Sequence, residues 1–453
     1  MATSIEVWVS KSGTGDLAFE LAGTVPDSPG GWSLTDVPVE WPNVYHYRAR
    51  RYDSGLDAYS DWSNIVTVSP PQVSEGGIPN NMPVISGVDS KIAIAQEAIE
   101  GNFVQVTKRL ERASGTLQQT AAPIFDDSIQ GDPSQYHKDV PGIAEVAGPM
   151  SLNATPEGPF VYFLNATWGL PTTVAVAAAG GVGAHNLHTW KNNKFAHVPL
   201  TAVERQAEYF FVTSGIGVNR MELTLAKTQT TPVRAEMELF GLKQFVDGTD
   251  VAAIETKTGL DTSVIDPMPH WAAVRGILTV DGTVLGYATD ITITIERNLE
   301  RIQGFNGYRG ASGLYSTGVT LTANFTAFFM DDSLYKRYFG QLPSAVRPYG
   351  MSMDTIPGNV VLTIAGKPTA DGWSPDLLIR LPKALLTPID KPVEGRGAIM
   401  QRVTLNMMHD PVTGTDLLMS LRNSMTAANV GQMGTLMTGV PADAVHPYNT
   451  EAP

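Results

Sequence analysis

The sequence predicts a mainly β protein with long loops and one flanking α-helix, preceded by a small β domain. In residues 290–296 and 319–329 the apolar side chains fall on odd positions and the polar side chains on even positions. Such alternation is typical of strands with one face in a core and the other in water. The 43 Gly and 31 Pro among 453 residues fit a chain rich in strands and loops.

Residues 1–70 are predicted to form a small all-β domain, since Ile5, Val7 and Val9 alternate. The later string NVYHYRARRYDSGLDAYSDWSNIVTV resembles the F–G half of a fibronectin type III domain. The residues that carry this resemblance are Tyr45 and Tyr47 in the F strand and Ser60, Trp62, Ser63 and Val66 entering the G strand. The first two strands of that fold should precede Ile5 and have no counterpart. The domain is therefore either shortened or completed by another segment or a neighbouring subunit.

Residues 71–87 concentrate Pro, Gly and Asn and are predicted to be a linker. From Lys91 the apolar pattern resumes, and a helix and strands both fit it locally. Residues 114–160 are poorly patterned, with acidic residues and many Pro and Gly, and we interpret them as an extended arm or a long loop.

A β-hairpin is predicted at 217–242, where the apolar residues again keep one parity. Residues 245–286 look like an insertion. Later strands are predicted at 360–365, 377–381 and 402–408. The pattern ends after Asn423, so residues 426–453 are predicted to be a mobile C-terminal tail.

The segment from Tyr287 to Gly340 contains a strand, a glycine-rich loop, a second strand and a short helix. The loop, Asn298–Gly318, is too long for a tight hairpin, and loops of this size are commonly functional. Asp331 or Asp332 can cap a helix over 332–339, whose last turn carries basic residues.

Two strings in this part of the chain resemble the tail tube proteins of long-tailed bacteriophages. They are FFMDDSLYKRYFG at 328–340 and the run from His188 to Gln244, and we place the resemblance over residues 88–425. It implies a tail-tube β-sandwich with a flanking α-helix, assembled into hexameric rings that stack helically. It also implies a virion tail protein assembled in the host cytoplasm. The implied partners are further copies of the chain, the tape measure protein, the tail terminator and tail-tip proteins, and double-stranded DNA that passes without specific binding.

Charge, cysteine content and hydrophobicity exclude several classes of protein. The formal net charge is −14 and the sequence pI is about 5.0, which argues against an external nucleic-acid binder. With 0 Cys, a disulfide scaffold and a cysteine nucleophile are excluded. No apolar run reaches the roughly 20 residues that span a bilayer, and no secretory signal is visible. We therefore expect a soluble protein without membrane insertion.

No catalytic, cofactor or metal residue is predicted. His185, His188 and His197 have short spacing but lack an accompanying acidic base, so a Gly-rich loop that leads into a strand is favoured over a metal site. The run 178–183 lacks the Lys-Ser/Thr of a phosphate loop. Asp331 and Asp332 are adjacent and cannot flank a glycosidic bond, while a helix cap explains them.

Two residue sets are candidate functional surfaces. The acidic residues on the even positions of the two patterned regions are Glu222, Glu236, Glu238, Asp290 and Glu296. By themselves they indicate a solvated sheet face, and the resemblance implies that this face lines the channel. The loop residues proposed for contacts between rings or subunits are Arg301, Tyr308, Arg309 and Tyr315.

Two alternatives remain open at this stage. One is a tail-tip or baseplate protein that shares the tube fold. The other is a carbohydrate-binding protein or glycosidase carrying a fibronectin-like module, against which the missing signal peptide and the lack of a separated acid pair count.

Overall fold

A computed structural model gives the fold of the chain. It describes residues 3–10, 20–26, 45–53, 58–60, 66–68, 90–121, 124–126, 138–140, 142–192, 196–226, 232–248, 250–265, 268–285, 288–304, 310–328, 334, 336, 356–390 and 399–440. The chain divides into two compact units, Met1–Ser86 and Gly87–Pro453. The predicted linker at 71–87 lies outside the described residues.

The described strands of the N-terminal unit form one antiparallel sheet. Its strands are β1 (Thr3–Ser10), β2 (Glu20–Pro26), β3 (Tyr45–Asp53), β4 (Ala58–Tyr59) and β5 (Val66–Val68). Strand β1 lies between β2 and β3, and β3 also pairs with β4 and β5. Tyr47 stands opposite Val66, so the strands predicted at these positions are confirmed. Val7 is buried, and the guanidinium of Arg50 contacts the Glu6 carboxylate at 3.0 Å.

In the described residues of the second unit, most strands form three antiparallel sheets, and two further strand pairs form separate hairpins. Sheet 1 has the order β7–β6–β15–β16–β18. Its strands are β6 (Lys91–Gln96), β7 (Lys108–Arg109), β15 (Leu200–Gln206), β16 (Tyr209–Ala226) and β18 (Lys243–Asp247). Helix α2 (Val251–Thr258) is capped by Asp250, whose carboxylate accepts from the Ala253 N–H. Its Ile254 joins the apolar core on this sheet.

Sheet 2 contains the two predicted alternating regions. Its order is β9–β12–β17–β16–β21–β24–β27–β26, and β8 shares the β12 edge with β9. The strands new to this sheet are β8 (Arg112–Gly115), β9 (Gln118–Ala121), β12 (Ala144–Asn153), β17 (Arg234–Gly241), β21 (Ala288–Glu296), β24 (Thr320–Phe328), β26 (Leu377–Asp390) and β27 (Met400–Met407). The hairpin predicted at 217–242 is confirmed as β16 and β17.

Sheet 3 faces sheet 2 across the main core. Its order is β20–β19–β25–β26–β28–β14–β13. The strands new to this sheet are β13 (Thr172–Val176), β14 (His185–Lys191), β19 (Gly276–Val280), β20 (Thr283–Val284), β25 (Gly358–Ile364) and β28 (Leu418–Asn423). Apolar residues of odd parity on β21 and β24, such as Ile293 and Phe325, pack in one cluster with Leu362 and Ile379 of sheet 3. Sheets 2 and 3 therefore form the predicted β-sandwich.

Strand β16 bends at Gly215, where it passes from sheet 1 to sheet 2. Gly215 has φ +65°, and a Cβ there would lie 2.6 Å from Leu242, so only glycine fits. The Glu97 carboxylate holds the bend, because it accepts from the Gly215 N–H at 2.8 Å, the Thr201 hydroxyl at 2.7 Å and the Gly101 N–H at 2.7 Å. Burial raises the pKa of Glu97 to about 7, although these donors oppose the shift.

Helix α1 (Pro159–Trp168) is buried on every side. Pro159 opens it with a fixed φ, and Gly169 follows its end. The side-chain amide of Asn165 in this helix is buried and hydrogen-bonded. Its nitrogen donates to the side-chain oxygen of Gln96 at 2.9 Å, and its oxygen accepts from the Trp190 indole N–H at 2.9 Å. The buried Arg297 guanidinium donates to the carbonyls of Thr167 and Ala196 near the helix end, and burial lowers its pKa to about 10. The sequence prediction missed this helix.

Three sequence predictions need correction or lie partly outside the described residues. Of the predicted helix at 332–339, only residues 334 and 336 are described, and both are helical. The arm predicted at 114–160 is wrong for residues 144–153, which form β12 inside sheet 2. Strand β9 also lies in this range and pairs with β12, whereas β10 (Ile124–Asp126) and β11 (Lys138–Val140) pair with each other as a separate hairpin.

The predicted tail at 426–453 is wrong for residues 426–440. A short helix, Ala427–Val430, is capped by Thr426, and the chain then returns to sheet 1. The N–H of Met437 donates to the Phe103 carbonyl at 3.0 Å, and Met437 joins the apolar core there. This segment carries little periodicity because irregular backbone hydrogen bonds, rather than a helix or strand, hold it in place.

Candidate channel surface and assembly hairpin

The predicted acidic set lies on one face of sheet 2. On β16 the odd residues Met221 and Leu223 are buried in the sandwich core, so the even residues project to the other side. The register places Glu222 opposite Glu236 of β17, and Arg220 opposite both Glu238 and Glu296. The fifth member, Asp290, lies at the far end of β21 opposite Thr326. We call this the polar face of sheet 2.

Arginine side chains partly offset the negative charge of this face. Glu222 and Glu236 are direct cross-strand neighbours, an arrangement that is unfavourable between like charges. The Arg220 guanidinium lies 2.7 Å from Glu222 and 3.5 Å from Glu296, and that of Arg234 lies 3.8 Å from Glu236. About half of the Glu236 side chain, 56 %, remains exposed. The pairs are therefore solvent-screened and stabilise the fold only weakly.

The rest of the polar face is uncharged over most of its width. Thr224 stands opposite Thr292, which stands opposite Asn324, and Asn324 in turn faces Thr404. Arg402 is a further cation on this face, at the end near Asp290. Sequence parity indicated these Thr and Asn positions strand by strand, but their alignment across four strands requires the register.

The glycine-rich loop begins and ends in a folded hairpin that packs at one end of the polar face. Strand β22 (Leu299–Ile302) pairs with β23 (Gly313–Ser316). Leu299 and Leu314 pack in one apolar cluster with Phe240, and both leucines approach Gly217, where a Cβ would lie 3.0 Å from each. The absence of a side chain at Gly217 lets the hairpin sit this close to the sheet.

Of the two predicted contact residues that the structure describes, Arg301 makes more contacts inside its own subunit. Its guanidinium lies 4.3 Å above the Phe240 ring, donates to the Val146 carbonyl at 2.9 Å and approaches Glu145 at 3.4 Å. Tyr315 is 43 % exposed and donates to Glu300 on the paired strand. Tyr308 and Arg309 lie outside the described residues.

The three histidines serve separate local contacts. His188 is buried between the Asn423 amide oxygen at 2.7 Å and the Thr173 hydroxyl at 2.8 Å, and burial lowers its pKa. His185 stacks on Trp373 at 5.6 Å, and His197 lies 3.4 Å from Glu100. Within the described ranges, no group of three or more His, Asp or Glu side chains is placed to hold a metal ion.

The second unit thus combines a two-sheet sandwich with a broad polar face and a hairpin that packs at one end of that face. In the described part of the chain, no helix is long and apolar enough to cross a membrane.

Comparison with known families identifies the class. Residues 87–407 match the family described as phage tail tube protein. The match covers well over half of the chain, so the chain belongs to the phage tail tube protein family. It is a structural component of the bacteriophage tail and not an enzyme. A comparison with curated proteins gives no match.

Proposed function

We propose that this chain is the repeating subunit of the tail tube, that it assembles into hexameric rings which stack, and that the polar face of sheet 2 lines the channel. The observation that carries this proposal is the contrast between the two faces of sheet 2. One face is packed in the sandwich core, and the other bears hydroxyl, amide and carboxylate groups in register across its strands. Such a face is typical of an antiparallel sheet that has one side in water, as the wall of an aqueous channel would.

The charge of the face suits the passage of DNA. Duplex DNA carries about one negative charge per 1.7 Å, and clustered Lys or Arg would bind it. On the polar face Arg220 and Arg234 are each paired with carboxylates, so their charge is offset locally. Screening confines the repulsion to about 8 Å at physiological salt, so it acts only near the wall.

The remaining assignments follow from the same family membership. We infer that the tube grows around the tape measure protein in the host cytoplasm, ends at the tail terminator, and meets the tail-tip proteins at the other end. The N-terminal unit would then be a fibronectin-like decoration. A tail-tip or baseplate position is the second candidate for a family member.

Electron microscopy of the purified full-length chain tests the subunit proposal. We expect stacked rings whose symmetry counts the chains in each ring. Antibody labelling along the whole tail would support the tube assignment, whereas labelling only at the tip would favour the tail-tip alternative. A ring count other than six would overturn the hexamer.

Charge reversal tests the channel assignment. We expect the double variant Glu236→Lys and Glu238→Lys to assemble tubes but to slow DNA ejection several-fold, because the wall would then attract phosphates, and we expect added salt to restore the rate. The matched control is Glu208→Lys in the exposed β15–β16 turn, together with a second exposed carboxylate, Asp261→Lys. Equal ejection rates in the double variant and the controls would refute the channel assignment.

A further inference from the structure

The outer strand and the turn of the β13–β14 hairpin form a charge-free, exposed sheet edge. From Leu170 to Ala184 the chain has no charged residue. Val174 is 55 % exposed, and residues 177–182 are all exposed. Strand β13 pairs only with β14 among the described strands, which leaves its outer edge open.

The hairpin is held in place rather than loosely attached. Ala179 and Val182 exchange two backbone hydrogen bonds of 3.0 Å across the Gly180–Gly181 turn. Beside the turn, the Gly183 N–H donates to the Asp371 carbonyl at 2.7 Å. An exposed, apolar edge strand without Lys, a bulge or an internal Pro lacks the usual protections against edge-to-edge pairing. A soluble chain that keeps such an edge rigid is expected to cover it on assembly.

A cleft elsewhere on the second unit offers the matching surface. It has a volume of about 550 Å³ and lies between β9 at the edge of sheet 2 and β18 at the edge of sheet 1. Its lining carries no charge: Gln118, Gln119, Gln206 and Gln244 contribute amides, and Phe211 and Val246 contribute apolar surface. Strand β9 pairs only with β12 and β18 only with β16 among the described strands.

Gln244 shows that the open edge of β9 accepts an amide. Its side-chain oxygen accepts from the Gln119 N–H at 3.1 Å, and its side-chain nitrogen donates to the Leu117 carbonyl at 3.2 Å. These are the two backbone groups to which a peptide unit of an added strand would bind. The side-chain amide therefore occupies the position of a strand residue, and a strand added by a neighbouring copy has to displace it from these two groups.

We propose that the β13–β14 hairpin of one copy adds its open edge as an extra strand to the β9 edge in the cleft of a neighbouring copy. Both surfaces are free of charge in a chain with 17 % charged residues, so their contact requires no desolvation of an ion. The hairpin and the cleft belong to different parts of the chain. Their contact is thus heterologous and propagates from copy to copy, as a ring or stack requires. This inference rests on the proposed tube function.

The absence of cysteine from the chain makes thiol cross-linking selective. We expect the full-length double variant Val174→Cys and Gln118→Cys, assembled into tubes and treated with a short thiol-to-thiol linker, to give a ladder of covalent multimers on a denaturing gel. The matched control replaces Val284 instead of Val174, because Val284 is 58 % exposed on β20, the strand at the opposite edge of sheet 3. The control should remain monomeric on the gel.

Each outcome bears on a separate claim. Tubes without the ladder, or an equal ladder in the Val284 control, would overturn the hairpin contact and leave the tube function standing. Dimers from the single Val174→Cys variant would show that two hairpins pair with each other, which also overturns the proposed contact. If the wild-type chain forms no tubes at all, the proposed function itself fails.

Discussion

Strand β16 contributes to two regions of the molecule in which carboxylates have opposite environments. They are buried at the bend and solvent-exposed on the polar face. At its bend, the carboxylate of Glu97 is 1 % exposed and accepts three hydrogen bonds, two of them from backbone N–H groups. Further along, Glu222 and Glu236 lie on the polar face beside arginines, in contact with solvent. The same type of side chain therefore fixes the fold at the bend and sets only the surface charge on the polar face.

The bend should be the most sensitive position. We expect Gly215→Ala to lower the free energy of unfolding by about 3 kcal/mol, because the positive φ and the contact with Leu242 both oppose a Cβ. Gly282→Ala is the matched control, since its φ is +78° and nothing lies within 4 Å of the added Cβ. Its cost should be about 1 kcal/mol. Urea denaturation measures both, and equal losses would mean that packing at the bend contributes nothing.

The pH dependence of stability should distinguish the buried Glu97 from the exposed carboxylates of the polar face. Because the pKa of Glu97 is raised from 4.5 to about 7 in the folded chain, the folded state binds the proton more tightly than the unfolded state does. The resulting stabilisation is present below pH 4.5 and is lost as the pH rises to about 7, by about 3 kcal/mol. We expect Glu97→Gln to remove this loss relative to the wild type, whereas Glu236→Gln should retain it. Parallel stability–pH curves for wild type and Glu97→Gln would contradict the assignment.

The ion pairs of the polar face should have the smallest effect. We expect a double-mutant cycle on Arg220→Ala and Glu296→Ala to give a coupling free energy below about 1 kcal/mol, because both side chains are nearly half exposed. Raising the salt concentration should reduce it further. A coupling of about 3 kcal/mol would instead indicate a buried pair and would remove the contrast with the bend.

Alternation in the sequence was sufficient to predict the strands that form the polar face. Residues such as Ile293 and Phe325 have one buried parity, and a period of two specifies which face they occupy. The same rule failed for α1, because a helix buried on all sides has no polar stripe to reveal its period of 3.6. Its run PFVYFLNATW, bounded by glycines and opened by Pro159, is the signal that could have indicated it.

Contacts between distant parts of the chain were beyond prediction from one sequence. Glu97 and Gly215 are 118 positions apart, and nothing in the local pattern of either residue indicates the other. The C-terminal residues around Met437 are ordered by backbone bonds to the region of Phe103, which propensity and periodicity do not register. The packing of the β22–β23 hairpin over Gly217 could not be predicted for the same reason. It depends on the absence of a side chain at Gly217, which is distant in sequence from the hairpin.

The sharing of β16 and β26 between sheets has a mechanical consequence. Each strand passes from one sheet into another, β16 over 18 residues and β26 over 14 residues. At about 3.3 Å per residue, the contour length of β16 is about 60 Å, measured through its bend. Sliding one sheet past another would require rupture of these continuous hydrogen-bond ladders, not merely the slippage of side chains. We therefore expect the subunit to be stiff in shear, because the hydrogen-bonded backbone carries the load. Single-molecule force measurements can test this expectation.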